Sequence, residues 1–137
     1  MGEPSARVLV IEDARNWREY LQVLLQSMGY HVQVADGLDQ GMRALPEGPY
    51  DLAIVDARLY EGRPEDESGL DIIRTAWAQH AVARFIVLSG NCAAARVHTV
   101  LGDEIPYRMF DKSESDSERF RLAVRTLIAE VSGRGTE

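Results

Sequence analysis

Asp51-Leu52-Ala53-Ile54-Val55-Asp56 is the stretch on which the reading of this chain turns: four consecutive apolar residues closed at the carboxyl end by an acid. A short, uniformly apolar run reads as a strand buried on both faces, the habit of parallel sheets covered by helices. Three further runs repeat it: Val8-Leu9-Val10-Ile11, Phe85-Ile86-Val87-Leu88 and the weaker Tyr107-Arg108-Met109-Phe110. His31-Val32-Gln33-Val34-Ala35 alternates polar and apolar residues, as a strand nearer the sheet edge does.

Helical patterns fill the intervals. Trp17, Leu21, Leu24, Leu25 and Met28 lie on one stripe, stopped by Gly29. Leu38, Met42 and Leu45 form a second stripe ending at Pro46-Glu47-Gly48-Pro49, and Leu70, Ile73 and Trp77 a third. Ala93 to Leu101 is predicted as a fourth helix. Ser115 with Glu118 fits a capping box before Phe120, Val124, Leu127, Ile128 and Val131, and Ser132 to Glu137 reads as a frayed tail. Strand and helix alternate five times with short connections, which predicts an α/β fold: a doubly wound, five-stranded parallel sheet in a three-layer α/β/α sandwich.

Bulk properties narrow the function. The 137 residues, 45% hydrophobic, suit one domain over 1–137 with its core at about 7–131. A formal net charge of -7 offers no basic face for nucleic-acid phosphates or anionic lipid, so proteins are the expected partners, with no direct nucleic acid and no membrane. The chain shows no apolar run of about 20 residues and no secretory h-region, so the expected compartment is the cytoplasm. The lone Cys92 reads as a small packing residue, and His31, His80 and His98 as surface or packing residues on unrelated elements.

In an open parallel sheet, ligands bind outside the carboxyl ends of the strands. There the sequence places Glu12 and Asp13, Asp56, Ser89 and Gly90, and Asp111 and Lys112. Any one alone is an ordinary loop residue or helix cap; their convergence on one sheet edge is not. Lys112 is the only lysine among 15 basic residues, a compact point charge where arginine would bring a wide fork. Glu12, Asp13 and Asp56 against Lys112 leave an excess charge of minus two, which a divalent cation neutralises. Carboxylates plus water suit Mg²⁺ or Mn²⁺, and the absence of a Cys/His cluster argues against zinc.

In this order and spacing, Val8-Leu9-Val10-Ile11-Glu12-Asp13, Asp51 to Asp56, Ser89-Gly90 and Phe110-Asp111-Lys112 resemble the two-component response-regulator receiver domains of the CheY-like superfamily, from Val8 to about Val131. The resemblance implies a flavodoxin-like (β/α)5 topology. It implies Mg²⁺ held by Glu12, Asp13, Asp56 and the backbone carbonyl of Arg58, with Asp56 the phosphoryl acceptor. Ser89 and Lys112 would contact the phosphoryl group, and Gly90 would leave room for it. The donor would be a sensor histidine kinase or phosphotransfer protein, and the product a state recognised by a downstream protein, self-catalysed and later hydrolysed rather than conventional enzyme turnover.

Departures from that pattern are Met109, where receivers often carry Tyr or Phe three residues before the lysine, and Ser113, where proline is usual. Tyr107 and Phe110 flank Met109, and strand alternation is expected to set them on the other face or out of register. Residues 60–68, with Glu61, Glu65, Asp66 and Glu67, lengthen the connection after Asp56 and delay the expected glycine to Gly69. They read as a solvated acidic loop, or as a filter on which kinase approaches. The alternative function is a phosphorylation-independent interaction module of the same fold; a carboxylate trio that repels itself has no use in such a module. A flavin or nucleotide site would need a glycine-rich cradle where the chain has Ala14-Arg15-Asn16.

Overall fold

The apolar runs pair as parallel strands in a computed structural model that describes residues 5–59, 66–90, 94–113 and 116–135, with side chains described to residue 131. In chain order the elements are β1 (Arg7–Ile11), α1 (Arg15–Ser27), β2 (His31–Ala35), α2 (Leu38–Ala44), β3 (Tyr50–Asp56), α3 (Ser68–Ala78), β4 (Val82–Ser89), α4 (Ala94–Leu101), β5 (Tyr107–Asp111) and α5 (Ser117–Gly135). The sheet order is β2-β1-β3-β4-β5, all parallel, so the winding reverses between β1 and β3. That reversal opens a crevice at the carboxyl ends of β1 and β3, and the alternating strip His31–Ala35 is indeed an edge strand.

Successive side chains of a strand point to opposite faces, and the core divides accordingly. Leu9, Ile11, Ala53, Val55, Phe85 and Val87 pack under α2, α3 and α4. Val8, Val10, Leu52, Ile54, Ile86 and Leu88 pack under α1 and α5, against Leu21, Leu25, Val124 and Leu127. Covering both faces removes the central strands from water, which is why their sequences are apolar without alternation. The α1 stop is as read: Gly29 sits at φ 95°, a left-handed value that glycine adopts at little cost.

Several expectations need correction. Met42 is exposed, and α2 instead buries Gly41 and Ala44. A Cβ at Gly41 would lie 2.8 Å from Ile72 Cδ1, so the missing side chain lets the helix approach and rotates its buried face away from Met42. Ser115 lies outside the described residues; Asp116 caps α5, its Oδ1 accepting the N–H of Glu118 (3.1 Å) and Arg119 (3.2 Å). The tail read as frayed from Ser132 is helical to Gly135, because each further bond fixes only one more residue once a helix is nucleated. Tyr107 shares its face with Met109, two residues on, whereas Phe110 points to the other side. Ala93, Cys92 and most of the acidic insertion, residues 60–65, lie outside the described residues.

The insertion's carboxyl end is held down by its own acids. Asp66 Oδ2 accepts from Leu59 N (3.0 Å), Ser68 N (3.2 Å) and Ser68 Oγ (2.7 Å), closing the base of the loop. Arg96 on α4 donates to Glu67 Oε1 at 2.8 Å, and this hydrogen bond holds the Glu67 carboxyl below its ordinary range. Two of the four acids assigned to a charged filter are therefore structural. Asp66→Ala leaves three donors without their acceptor and is expected to lower stability by about 1–3 kcal/mol, read from urea unfolding midpoints.

Candidate functional site

Glu12 and Asp13 follow β1, and Asp56 ends β3, so the chain reversal sets the three carboxylates side by side. One oxygen from each lies within 4.8 Å of the others. Glu12 is fully buried, Asp56 nearly so, and Asp13 half-buried. Lys112, just past β5, reaches across: its Nζ is 2.9 Å from Asp56 Oδ2 and 2.9 Å from Glu12 Oε1. Its backbone N–H donates to Ser89 O at 2.9 Å, so the end of β4 positions the lysine.

These groups perturb one another. Burial, then the adjacent Asp56 charge, pushes the Glu12 carboxyl up to about 8. Burial alone would lower the Lys112 ammonium, but its hydrogen bonds to Asp56 and Glu12 outweigh that and hold it above its usual value. Glu12 Oε2 accepts from Ala14 N (3.0 Å) and Lys112 Nζ (3.1 Å). Glu12 Oε1 is close to the same ammonium but accepts no well-aligned hydrogen bond, although it is buried. A buried carboxylate oxygen lacking an aligned donor, among hard oxygen donors with excess negative charge, fits a divalent cation of the Mg²⁺ type.

The other expected residues are nearby to differing degrees. Ser89 is buried at the end of β4, one residue past Leu88, the β-sheet partner of Asp56. A Cβ at Gly90 would meet nothing within 4 Å, so the space beside it is open. Arg58 donates its backbone N–H to Asp56 Oδ1 at 3.1 Å.

Two contributors were not singled out from the sequence. Arg18 donates from one guanidinium nitrogen to Glu12 O (2.9 Å) and Asp13 O (3.3 Å), tying the acidic turn to α1. Trp17 places its ring 5.6 Å from Lys112 Nζ, a cation-π contact on the outer side of the ammonium. Trp17 was legible only as part of a helix stripe. Arg18, five residues past Asp13 on the first turn of α1, carries no pattern that distinguishes it from a solvated arginine.

The family model described as response regulator receiver domain matches residues 8–118. This chain belongs to that family. Among relatives of the receiver domain, the cell cycle transcriptional regulator CtrA of Caulobacter vibrioides is 30% identical over 111 residues, covering 79% of this chain and 46% of CtrA. The virulence transcriptional regulatory protein PhoP of Salmonella typhimurium is 41% identical over 68 residues, covering 50% of this chain and 28% of PhoP. The receiver domain thus spans less than half the length of these relatives. The signal receiver domain of a putative LuxO repressor protein from Vibrio parahaemolyticus superposes with a TM-score of 0.81 at 13% identity, covering 97% of both chains. The response regulator TrrA from Thermotoga maritima, solved with Mg²⁺ and BeF, gives 0.69 at 22% identity, covering 89% of this chain and 98% of that one. Membership places this chain in two-component signalling. No described helix is long and apolar enough to cross a membrane.

Proposed function

We propose that this receiver accepts a phosphoryl group on Asp56, in a reaction assisted by Mg²⁺ bound at Glu12, Asp13, Asp56 and the Arg58 carbonyl. The observation that carries the reading is the position of Asp56, nearly buried among carboxylates with Lys112 Nζ at 2.9 Å. The TrrA complex with Mg²⁺ and BeF is in keeping with it.

A carboxylate oxygen of Asp56 attacks the phosphorus of a phosphohistidine in line; a P–O bond forms, the P–N bond breaks, and the imidazole leaves with a proton from solvent. A divalent cation held by Glu12, Asp13, Asp56 and the Arg58 carbonyl would supply positive charge to offset the negative charge of the transition state. Lys112 pairs with a second phosphoryl oxygen, Ser89 donates a hydrogen bond to a third, and the open space at Gly90 admits the group. Water later hydrolyses the acyl phosphate. The donor is a histidine kinase or phosphotransfer protein of the cytoplasm, and the phosphorylated state binds a downstream protein.

The raised Glu12 carboxyl gives this reading a pH signature. Between about pH 4.5 and 8 the folded metal-free protein holds a proton on Glu12 that the unfolded chain has already lost, so the contribution of Glu12 to stability is fully present below about 4.5 and is lost as pH rises towards about 8. Mg²⁺ must displace that proton, so its affinity should strengthen with pH by up to about tenfold per unit until about pH 8. Titration calorimetry at neutral pH in buffers of differing ionisation enthalpy is expected to register proton release. An identical heat in every buffer would mean that Mg²⁺ displaces no proton from Glu12, against this pH signature.

A further inference from the structure

A second recess opens on the other side of Lys112. Between α1, the end of β5 and the start of α5 lies a cavity of about 420 Å³, walled by Trp17, Tyr20, Leu21, Phe110 and Phe120. Trp17 and Tyr20 meet edge to face at 5.9 Å, as do Phe110 and Phe120 at 5.3 Å. A cleft of this size, open to solvent on one side, falls within the about 300–1,000 Å³ that small-molecule sites occupy. Tyr20 remains 47% exposed at the mouth, an apolar ring left in water that an occupant would cover.

The polar lining selects the occupant. Lys112 is already engaged by Asp56 and Glu12, and Asp116 by the amino end of α5; the other charged residues of the lining are Arg119 and Asp111, one of each sign, with Asn16 and Ser117 as neutral hydrogen-bonding groups. Opposite charges in equal number disfavour an ion of either sign, and the aromatic walls favour a flat ring system. We propose that this cavity binds a planar, uncharged heteroaromatic small molecule of two or three fused rings, its rings against Trp17 and Tyr20 and its polar edge towards Ser117 and Asn16. The site is coupled to Asp56 because Lys112 lines it while contacting both the Trp17 ring and the Asp56 carboxylate. This coupling rests on the phosphorylation reading; the binding itself does not.

Titration of the full chain with quinazolin-4-one, without Mg²⁺ or phosphodonor and with cyclohexanol as the non-aromatic control, tests the binding by NMR. The expected result is saturable binding of the heteroaromatic alone, shifting the Trp17 indole N–H and leaving that of Trp77 in place. Ser117→Phe, which fills the cavity, should weaken it by about tenfold or more, and the exposed variant Tyr20→Ala, which keeps the fold, should weaken it too. Absence of saturation, equal binding of cyclohexanol, or indifference to Tyr20→Ala would overturn the site. Adding Mg²⁺ with beryllofluoride should then change the affinity by about fivefold or more; an unchanged affinity, with beryllofluoride shown to be bound, would overturn the coupling and leave the phosphorylation reading intact.

Discussion

Asp56→Asn is expected to abolish the gain of one phosphoryl group's mass that the wild-type chain should show after incubation with a small-molecule phosphodonor and Mg²⁺. The amide nitrogen cannot act as a nucleophile, and the amide oxygen carries too little charge to attack phosphorus. The substitution keeps the shape of the side chain and the acceptor for the Arg58 N–H, so the fold survives. It also removes the charge that repels Glu12, so the metal-free variant should melt no lower than the wild type except for the lost Lys112 contact. Intact-mass spectrometry beside a melting curve separates lost chemistry from lost structure. A phosphorylated Asp56→Asn protein would move the acceptor elsewhere.

Gly69→Ala is the second large effect. A Cβ there would stand 1.8 Å from the carbonyl oxygen of Asp56 and 2.8 Å from that of Ala57, while Gly69 N–H donates to Ala57 O at 3.1 Å. The colliding atoms are backbone, so no side-chain rotation relieves them. The amino end of α3 must move away from β3, or β3 must bend. The expected cost is about 3 kcal/mol or more, at the upper end of what overpacking produces. Because the displaced carbonyl belongs to the proposed acceptor, Asp56, phosphorylation should slow in whatever fraction remains folded. Urea denaturation together with the phosphorylation rate tests both; a variant within about 0.5 kcal/mol of wild type would show that the close approach of α3 to Asp56 is not required.

Much of this was legible because burial writes itself into sequence. Central strands covered on both faces must be apolar throughout, so Leu52 to Val55 and Phe85 to Leu88 announced themselves, and the half-wet edge strand alternated. The acids were legible for a related reason: each sits directly after an apolar run, where a parallel sheet presents its crevice. What escaped depended on geometry between elements. Met42 lost its buried place because Gly41 lets two elements touch. Trp17 and Arg18 reach the site by the rotation of α1, which helical periodicity alone does not relate to Lys112. The α5 cap moved from Ser115 to Asp116, a shift of one residue between two good capping types. Tyr107 was misassigned by setting aside the two-residue period of its own strand.

The charge balance of the acidic site underlies both the mechanism and its pH dependence. Melting temperature with and without millimolar Mg²⁺, in wild type and in Asp13→Asn, measures it most directly. A cation bound only by the folded trio must raise the wild-type transition and raise that of Asp13→Asn much less. Identical curves with and without Mg²⁺ in the wild type would mean that the folded trio binds no cation at this concentration, and the account of this site would be wrong.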